Sequence, residues 1–291
     1  MNAIAVPAAG REARIARRET LRQLLRSPTF IVGAAIVGFW VFCALLGTKI
    51  APYDPQDQSF TPLLRPGAHV FGTDSLGRDV LSRVLVGATD ILKIAPLATL
   101  LGIAGGTVIG LVTGYFRGVT DNAISRVVDA WLALPVIVIA VTALVALGTS
   151  TGTLIIVIGV VFMPIVSRTV RAAVLAERQL EYVQAARLRG ERPPYVMFVE
   201  ILPNVMGPII VEATVRLGYA IFTVAGLTFL GFGVQPPSPD WALQIANGYT
   251  LLNDTAHQGN YWVVLFPAAA IASLVVGVNL IADGISRVLE R

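Results

Sequence analysis

IAPLATLLGIAGGTVIGLVTGYF, residues 94–116, runs for 23 residues without a charged side chain. As a helix it would be about 35 Å long, enough to cross a hydrocarbon core of about 30 Å. Gly102, Gly106, Gly110 and Gly114 fall four apart along it, and Gly118 continues the series. In a helix that spacing puts all of them on one face, where small residues let two backbones approach closely. The stretch therefore reads as a membrane span with a packing face for another helix, whose identity the sequence leaves open.

The remainder of the chain agrees. It is 55% hydrophobic and 14% charged, with a mean hydropathy of +0.72. A soluble domain carries about 25% charged residues. Five further apolar stretches are candidate spans: 29–50, 127–147, 152–167, 204–232 and 261–285. The fold class expected is an all-α integral membrane protein with about six transmembrane helices. Cys43 is the single cysteine and lies inside an apolar stretch, while His69 and His257 are far apart. Neither a disulfide framework nor a metal site follows from such residues.

Arginine distribution sets the orientation. Arg11, Arg14, Arg17, Arg18, Arg22 and Arg26 precede the first span. Arg117 and Arg126 lie between spans two and three, Arg168, Arg171, Arg178, Arg187, Arg189 and Arg192 between four and five, and Arg287 and Arg291 at the end. The 3–4 and 5–6 loops have no Lys or Arg. The positive-inside rule then puts both termini in the cytoplasm, and the basic balance needs no nucleic-acid partner. Loop 51–93 departs from the rule, with Arg65, Arg78 and Arg83 inside it and Lys49 and Lys93 at its ends. Segment 1–28 reads as a basic cytoplasmic region. Leu21, Leu24 and Leu25 share one helical face there, as in an amphipathic helix on the inner membrane surface, the alternative being a disordered basic tail.

Two features stand out against this greasy background. Glu212 and Arg216 sit one helical turn apart within the fifth span, as a self-neutralising pair or as the lining of a polar path. The second is LEYVQAARLRGERPPYVMFVEILPN, residues 180–204, within the cytoplasmic loop 168–203. Good helix formers dominate 169–189, Gly190 suits a helix end, and Pro193 and Pro194 suit the start of a second short helix. Pro203 then precedes the fifth span. The expectation is a compact helical elbow, with Ala185 and Ala186 keeping its outward surface low for a docking partner. A Walker-type phosphate loop needs Gly-Lys-Ser/Thr, and neither Lys49 nor Lys93 fits. HExxH and GxSxG are absent too, which disfavours a membrane-embedded enzyme.

The elbow resembles the EAA loop of ABC importer permeases: Glu-Ala-Ala, three residues, Gly, nine residues, Ile, one residue, Leu-Pro. Ala185, Ala186, Gly190, Leu202 and Pro203 fit that spacing, while Gln184 replaces the Glu and Glu200 the Ile. FGTDSLGRDVLSRVLVGA (residues 71–88) and TFLGFGVQPPSPDWALQI (residues 228–245) resemble signatures of the dipeptide/oligopeptide/nickel branch, with Ala242 where Gly is usual. NLIADGISRVLER at the end is similar to a further signature but differs at several positions.

The resemblance implies a type I ABC importer permease with a first helix at 29–50, an extracytoplasmic loop at 51–93 and a five-helix core at 94–291. It implies a second homologous permease, two ATPase subunits that carry ATP and Mg, and an extracytoplasmic binding protein, in a bacterial inner membrane. No cofactor is implied for this chain. Glu181, Gln184, Ala185, Ala186, Arg187, Gly190, Leu202 and Pro203 would form the ATPase-docking elbow. Asp74, Arg78, Asp79, Pro236, Pro237 and Trp241 would meet the binding protein or form an outer gate, unless the two outer loops pack as a cap on the bundle. Peptides are the leading cargo, with nickel, another metal complex or a glycoside as the alternative. An ion-coupled secondary transporter is the competing class. It typically needs intramembrane ionisable groups and internal repeats, and only Glu212 and Arg216 are deep here.

Overall fold

In the computed structural model the described residues are 22–253 and 260–289. Of the amphipathic helix expected around Leu21, Leu24 and Leu25, Leu21 falls outside them, as do His257 and Arg291, while 22–24 form a short helical turn. The described residues are helical, apart from loops and one isolated bridge between Thr73 and Asp79. Five helices are long and apolar enough to cross a membrane: α1 (Pro28–Ile50), α2 (Val80–Phe116), α5 (Thr151–Glu177), α7 (Met206–Phe229) and α9 (Trp262–Leu289).

The stretch at 127–147 was expected as one straight span and is not. α3 (Gly118–Leu132) and α4 (Val136–Leu147) meet there at 87°. Pro135 explains the break, because it lacks an N–H and disfavours helical backbone at the residue before it. Counted as one crossing, the bent pair brings the total to six. α2 also starts earlier than expected, because Asp79 caps it at Val80, accepting from Ser82 N–H at 2.8 Å.

The α2 glycines face α5. A Cβ on Gly106 would stand 2.5 Å from Val166 Cβ, one on Gly110 2.6 Å from Val170 Cβ, and one on Gly114 2.7 Å from Val174 Cβ. Gly102 meets Phe162 Cβ at 3.0 Å. Each glycine is thus a hole for one residue of a matching four-residue series on α5. Gly118 does not continue the series in space. It lies beyond the helix end at φ +64°, with nothing within 4 Å of a built Cβ.

α1 lies against α9 by the same device. A Cβ on Gly33 would reach Gly277 O at 2.6 Å, and Trp40 Nε1 donates to Ser273 Oγ at 2.8 Å. Gly106→Leu is expected to destabilise the protein by about 1–3 kcal/mol or more, because a backbone carbonyl limits relaxation. Gly38→Ala, with open space around it, should be neutral. Thermal unfolding in detergent, followed by size-exclusion chromatography, measures both.

Candidate functional site

The expected elbow begins with a departure from expectation. Residues 169–189 are not one helix. α5 ends at Glu177, Leu180 is extended, and α6 (Glu181–Leu188) starts in a new direction. Burial overrides propensity here. The turn lets Val183 and Ala186 bury completely, in a cluster with Val174, Val196 and Ile201.

α6 then stops at Gly190, φ +78°. Gly190 N–H donates to Arg187 O at 3.0 Å, and Glu191 N–H to Ala186 O at 3.2 Å. This pair of bonds is a Schellman cap, and its left-handed residue strongly favours glycine. The chain returns through Pro193–Tyr195, a π-helical run Val196–Ile201 and Leu202–Asn204. In the wide run Leu202 N–H reaches back five residues to Met197 O, beside Pro203, which has no N–H to donate.

Tyr182, which sequence reasoning did not single out, ties these parts together. Its hydroxyl donates to Glu177 Oε1 at 2.7 Å and accepts from Asn204 Nδ2 at 3.1 Å. One side chain thus links the end of α5, the elbow and the turn that leads into α7. Burial and the hydrogen bond to Glu177 push its phenol above the ordinary range. An aromatic residue in so charged a stretch was the available signal.

Of the alanine pair, Ala185 faces solvent and Ala186 is fully buried. The expectation that both lower the outward surface is therefore corrected for Ala186, which packs inward. Leu188 projects outward, 89% exposed. Glu181 and Gln184 are exposed, and Gln184 donates to Gln179 O at 3.0 Å. Arg187 is half-buried over the Tyr115 ring, 4.6 Å from its centre. Leu202 is half-buried and Pro203 exposed. Glu200, where the EAA pattern has Ile, pairs with Arg189 at 3.3 Å.

At the other end of α2 the two signature stretches interlock. Asp74 Oδ1 accepts from the N–H groups of Leu76 and Arg78, both at 2.9 Å, and its Oδ2 from Arg78 Nε at 2.7 Å. Arg83 donates to Pro55 O at 3.0 Å and across to Ser238 O at 3.3 Å. Trp241 Nε1 donates to Val84 O at 2.7 Å, and its ring lies against Gly87. His69 Nδ1 sits 2.9 Å from Asp79 Oδ1.

Asp74, Arg78, Asp79 and Trp241 are therefore buried inside a cap, whereas Pro236 and Pro237 lie exposed on its surface. The cap also explains why loop 51–93 breaks the arginine rule, since Arg78 and Arg83 are buried against Asp74. Asp240 caps α8 (Trp241–Gly248) through Leu243 N–H at 3.0 Å, while its Oδ2 has no partner. Burial, with Asp90 nearby, pushes its carboxyl up to about 6.

Within the bundle Glu212 and Arg216 pair at 2.5 Å, and Thr169 Oγ1 donates to Glu212 Oε2 at 3.2 Å. Arg216 also lines a cavity of about 480 Å³ with Val136, Ile137, Tyr219 and Thr223. The pair is thus bonded to α5, and Arg216 shares a cavity with the start of α4.

The family described as the binding-protein-dependent transport system inner membrane component matches residues 106–291. The chain belongs to this permease family. A second match, the N-terminal TM domain of oligopeptide transport permease C, covers residues 17–66. A di/tripeptide transport permease of Pseudomonas aeruginosa is 38% identical, over 86% of this chain and 84% of the relative. A dipeptide transport permease of Alkalihalophilus pseudofirmus is 36% identical, over 94% and 89%. A glutathione transport permease of Pectobacterium atrosepticum is 32% identical, over 94% and 90%.

In fold the chain is similar to a structure of the inward-facing MetNI methionine ABC transporter. The TM-score is 0.57 at 19% identity, covering 72% of this chain and 97% of that one. The protein is a multi-pass inner-membrane permease subunit of an ABC importer and not an enzyme.

The permease's outer cap should respond to pH through Asp240. Its folded value of about 6 lies above the ordinary 3.8, so the folded state holds the proton more tightly. That contribution is fully present below pH 3.8 and is lost as pH rises through about 6. Asp240→Asn keeps a capping side chain and removes the titration. The variant should unfold at a higher temperature than the native protein at pH 8 and lose that advantage towards pH 4, as thermal scans at matched ionic strength would record.

Proposed function

We propose that this chain is one of two membrane subunits of an ATP-driven importer for dipeptides or oligopeptides delivered by an extracytoplasmic binding protein. ATP and Mg are held by two separate ATPase subunits. The observation that carries the reading is the elbow: a rigid, exposed helix, braced by Tyr182 and ended by Gly190, at the cytoplasmic end of a span. Such an element passes a domain movement into a packed bundle, as alternating access requires. The peptide cargo is supported by the names of the three relatives above, which all concern small peptides.

Within this reading Glu181, Gln184, Ala185, Leu188 and Pro203 form the surface that meets the ATPase, all exposed. Ala186, Arg187 and Gly190 hold that surface in shape. Pro236 and Pro237 meet the binding protein, and Asp74, Arg78, Asp79 and Trp241 position them from below. Arg216 and Glu212 line the path taken by cargo.

Mild-detergent purification of the tagged chain from its native membrane, with mass spectrometry of its companions, tests the assembly. A Walker-type ATPase, a second permease and a binding protein that retains peptide are expected. Recovery of this chain alone, under conditions that preserve a known ABC complex, would sink the reading. Substitution divides the elbow. Leu188→Asp or Ala185→Glu should abolish ATPase recovery while insertion and thermal stability stay native. Ala186→Glu should instead lower stability, because it drives a charge into a closed apolar cluster. Gly190→Pro removes the N–H bonded to Arg187 O and cannot adopt the positive φ, so transport should stop although the chain still inserts.

A further inference from the structure

Three arginines converge where the cytoplasmic ends of α2 and α5 meet the elbow. Arg117 follows the last residue of α2, Arg178 follows the last residue of α5, and Arg187 lies on α6. Arg187 folds back over the Tyr115 ring, 4.6 Å from its centre. Among the described residues none of the three makes a salt bridge. Arg178 Nη1 and Arg187 Nε and Nη2 are buried without an acceptor.

The carboxylates near them are already engaged. Asp121 accepts from Arg171 at 2.7 and 2.6 Å and from Ser125 at 3.0 Å, and Glu177 accepts from Tyr182. Burial first, then the charges of Arg187 and Arg117, lower Arg178 below the ordinary guanidinium range. Three like charges held together with orphaned donors are costly unless an anion joins them.

We propose that Arg117, Arg178 and Arg187 bind the phosphate headgroup of an anionic phospholipid of the cytoplasmic leaflet. Position argues for lipid over a protein carboxylate. The cluster sits at the end of an apolar span, flanked by Phe116 and Val119, which are 47% and 86% exposed. These side chains suit acyl chains. The outward face of the elbow is marked by Ala185 and Leu188, whereas the Arg187 guanidinium turns back to the end of α2. Guanidinium groups bind phosphate through charge-assisted bonds, and basic pockets between transmembrane helices on the cytoplasmic side favour anionic headgroups. The inference rests on the cytoplasmic orientation of the elbow and is independent of the cargo.

The test uses the intact transporter, delipidated and placed in nanodiscs of phosphatidylcholine with or without phosphatidylglycerol. Native mass spectrometry of the ejected complex counts retained lipid, and thermal unfolding is measured in parallel. The native complex should retain phosphatidylglycerol in preference to phosphatidylcholine and unfold at a higher temperature when it is present. Arg178→Gln with Arg187→Gln should reduce retention about tenfold or more. The corresponding lysine double variant, which keeps the charges, should recover part of it. Arg117→Gln changes an exposed side chain and should weaken retention without lowering stability in phosphatidylcholine alone, so the proposal stays testable if the double variant folds poorly.

Equal retention by native and glutamine forms would overturn the proposal. So would stabilisation by inorganic phosphate equal to that by phosphatidylglycerol, which would indicate a free-anion site. Loss of the ATPase from the glutamine variants with lipid retention unchanged would overturn it in favour of a protein carboxylate.

Discussion

The approach of α2 to α5 is the constraint on which the rest of the molecule depends. In a bilayer two apolar helices gain little by hiding from lipid, so association rests on close packing. Gly106, Gly110 and Gly114 supply the hollows, and Val166, Val170 and Val174 fill them. The contact continues to the cytoplasmic end of both helices, where Val174 also joins the apolar cluster that holds Val183 and Ala186 of the elbow. The bundle and the elbow are thus one packed body. A push on α6 is resisted by the same side chains that keep α2 and α5 together.

A second lock closes the opposite end. The cap joins the first turns of α2 to residues after α7 through polar contacts. Arg83 reaches Ser238, and Trp241 reaches Val84. Gly87 has to be small because Pro239 O and the Trp241 ring would stand 2.4 and 2.7 Å from its Cβ. Exposed loops carry little energy, but a buried arginine with backbone acceptors at both ends fixes them. The two ends of the bundle differ in kind: hydrogen bonds dominate outside, and apolar burial dominates the elbow.

Much of this was legible in the chain. The uncharged 94–116 stretch and its glycine spacing announced both a span and a packing face. Gly190 followed by Pro193 and Pro194 marked the elbow's turn. Four things were not legible, each because tertiary burial or backbone geometry decided it. Good helix formers ran unbroken through 169–189, yet the chain turns at Leu180 to bury Val183 and Ala186. Neighbouring alanines look alike in sequence, but one faces out and the other in. Pro135 could be read as tolerated within a span, and it divides one instead. The motifs at 71–88 and 228–245 were visible separately, whereas their contact depends on the fold of everything between.

That separation has a consequence in time. Trp241 donates to Val84 across 157 positions of chain, and Arg83 meets Ser238 across 155. At ~5–20 residues per second of synthesis, roughly 10–30 seconds pass between the two halves of the cap. The first half must wait, with the Arg83 side chain held meanwhile by Asp74 and Pro55 alone. The cap is therefore a late event in the biogenesis of the protein. It closes after α7 has been made, and a nascent chain stalled before that point leaves Arg83 without its Ser238 acceptor and Val84 O without its Trp241 donor.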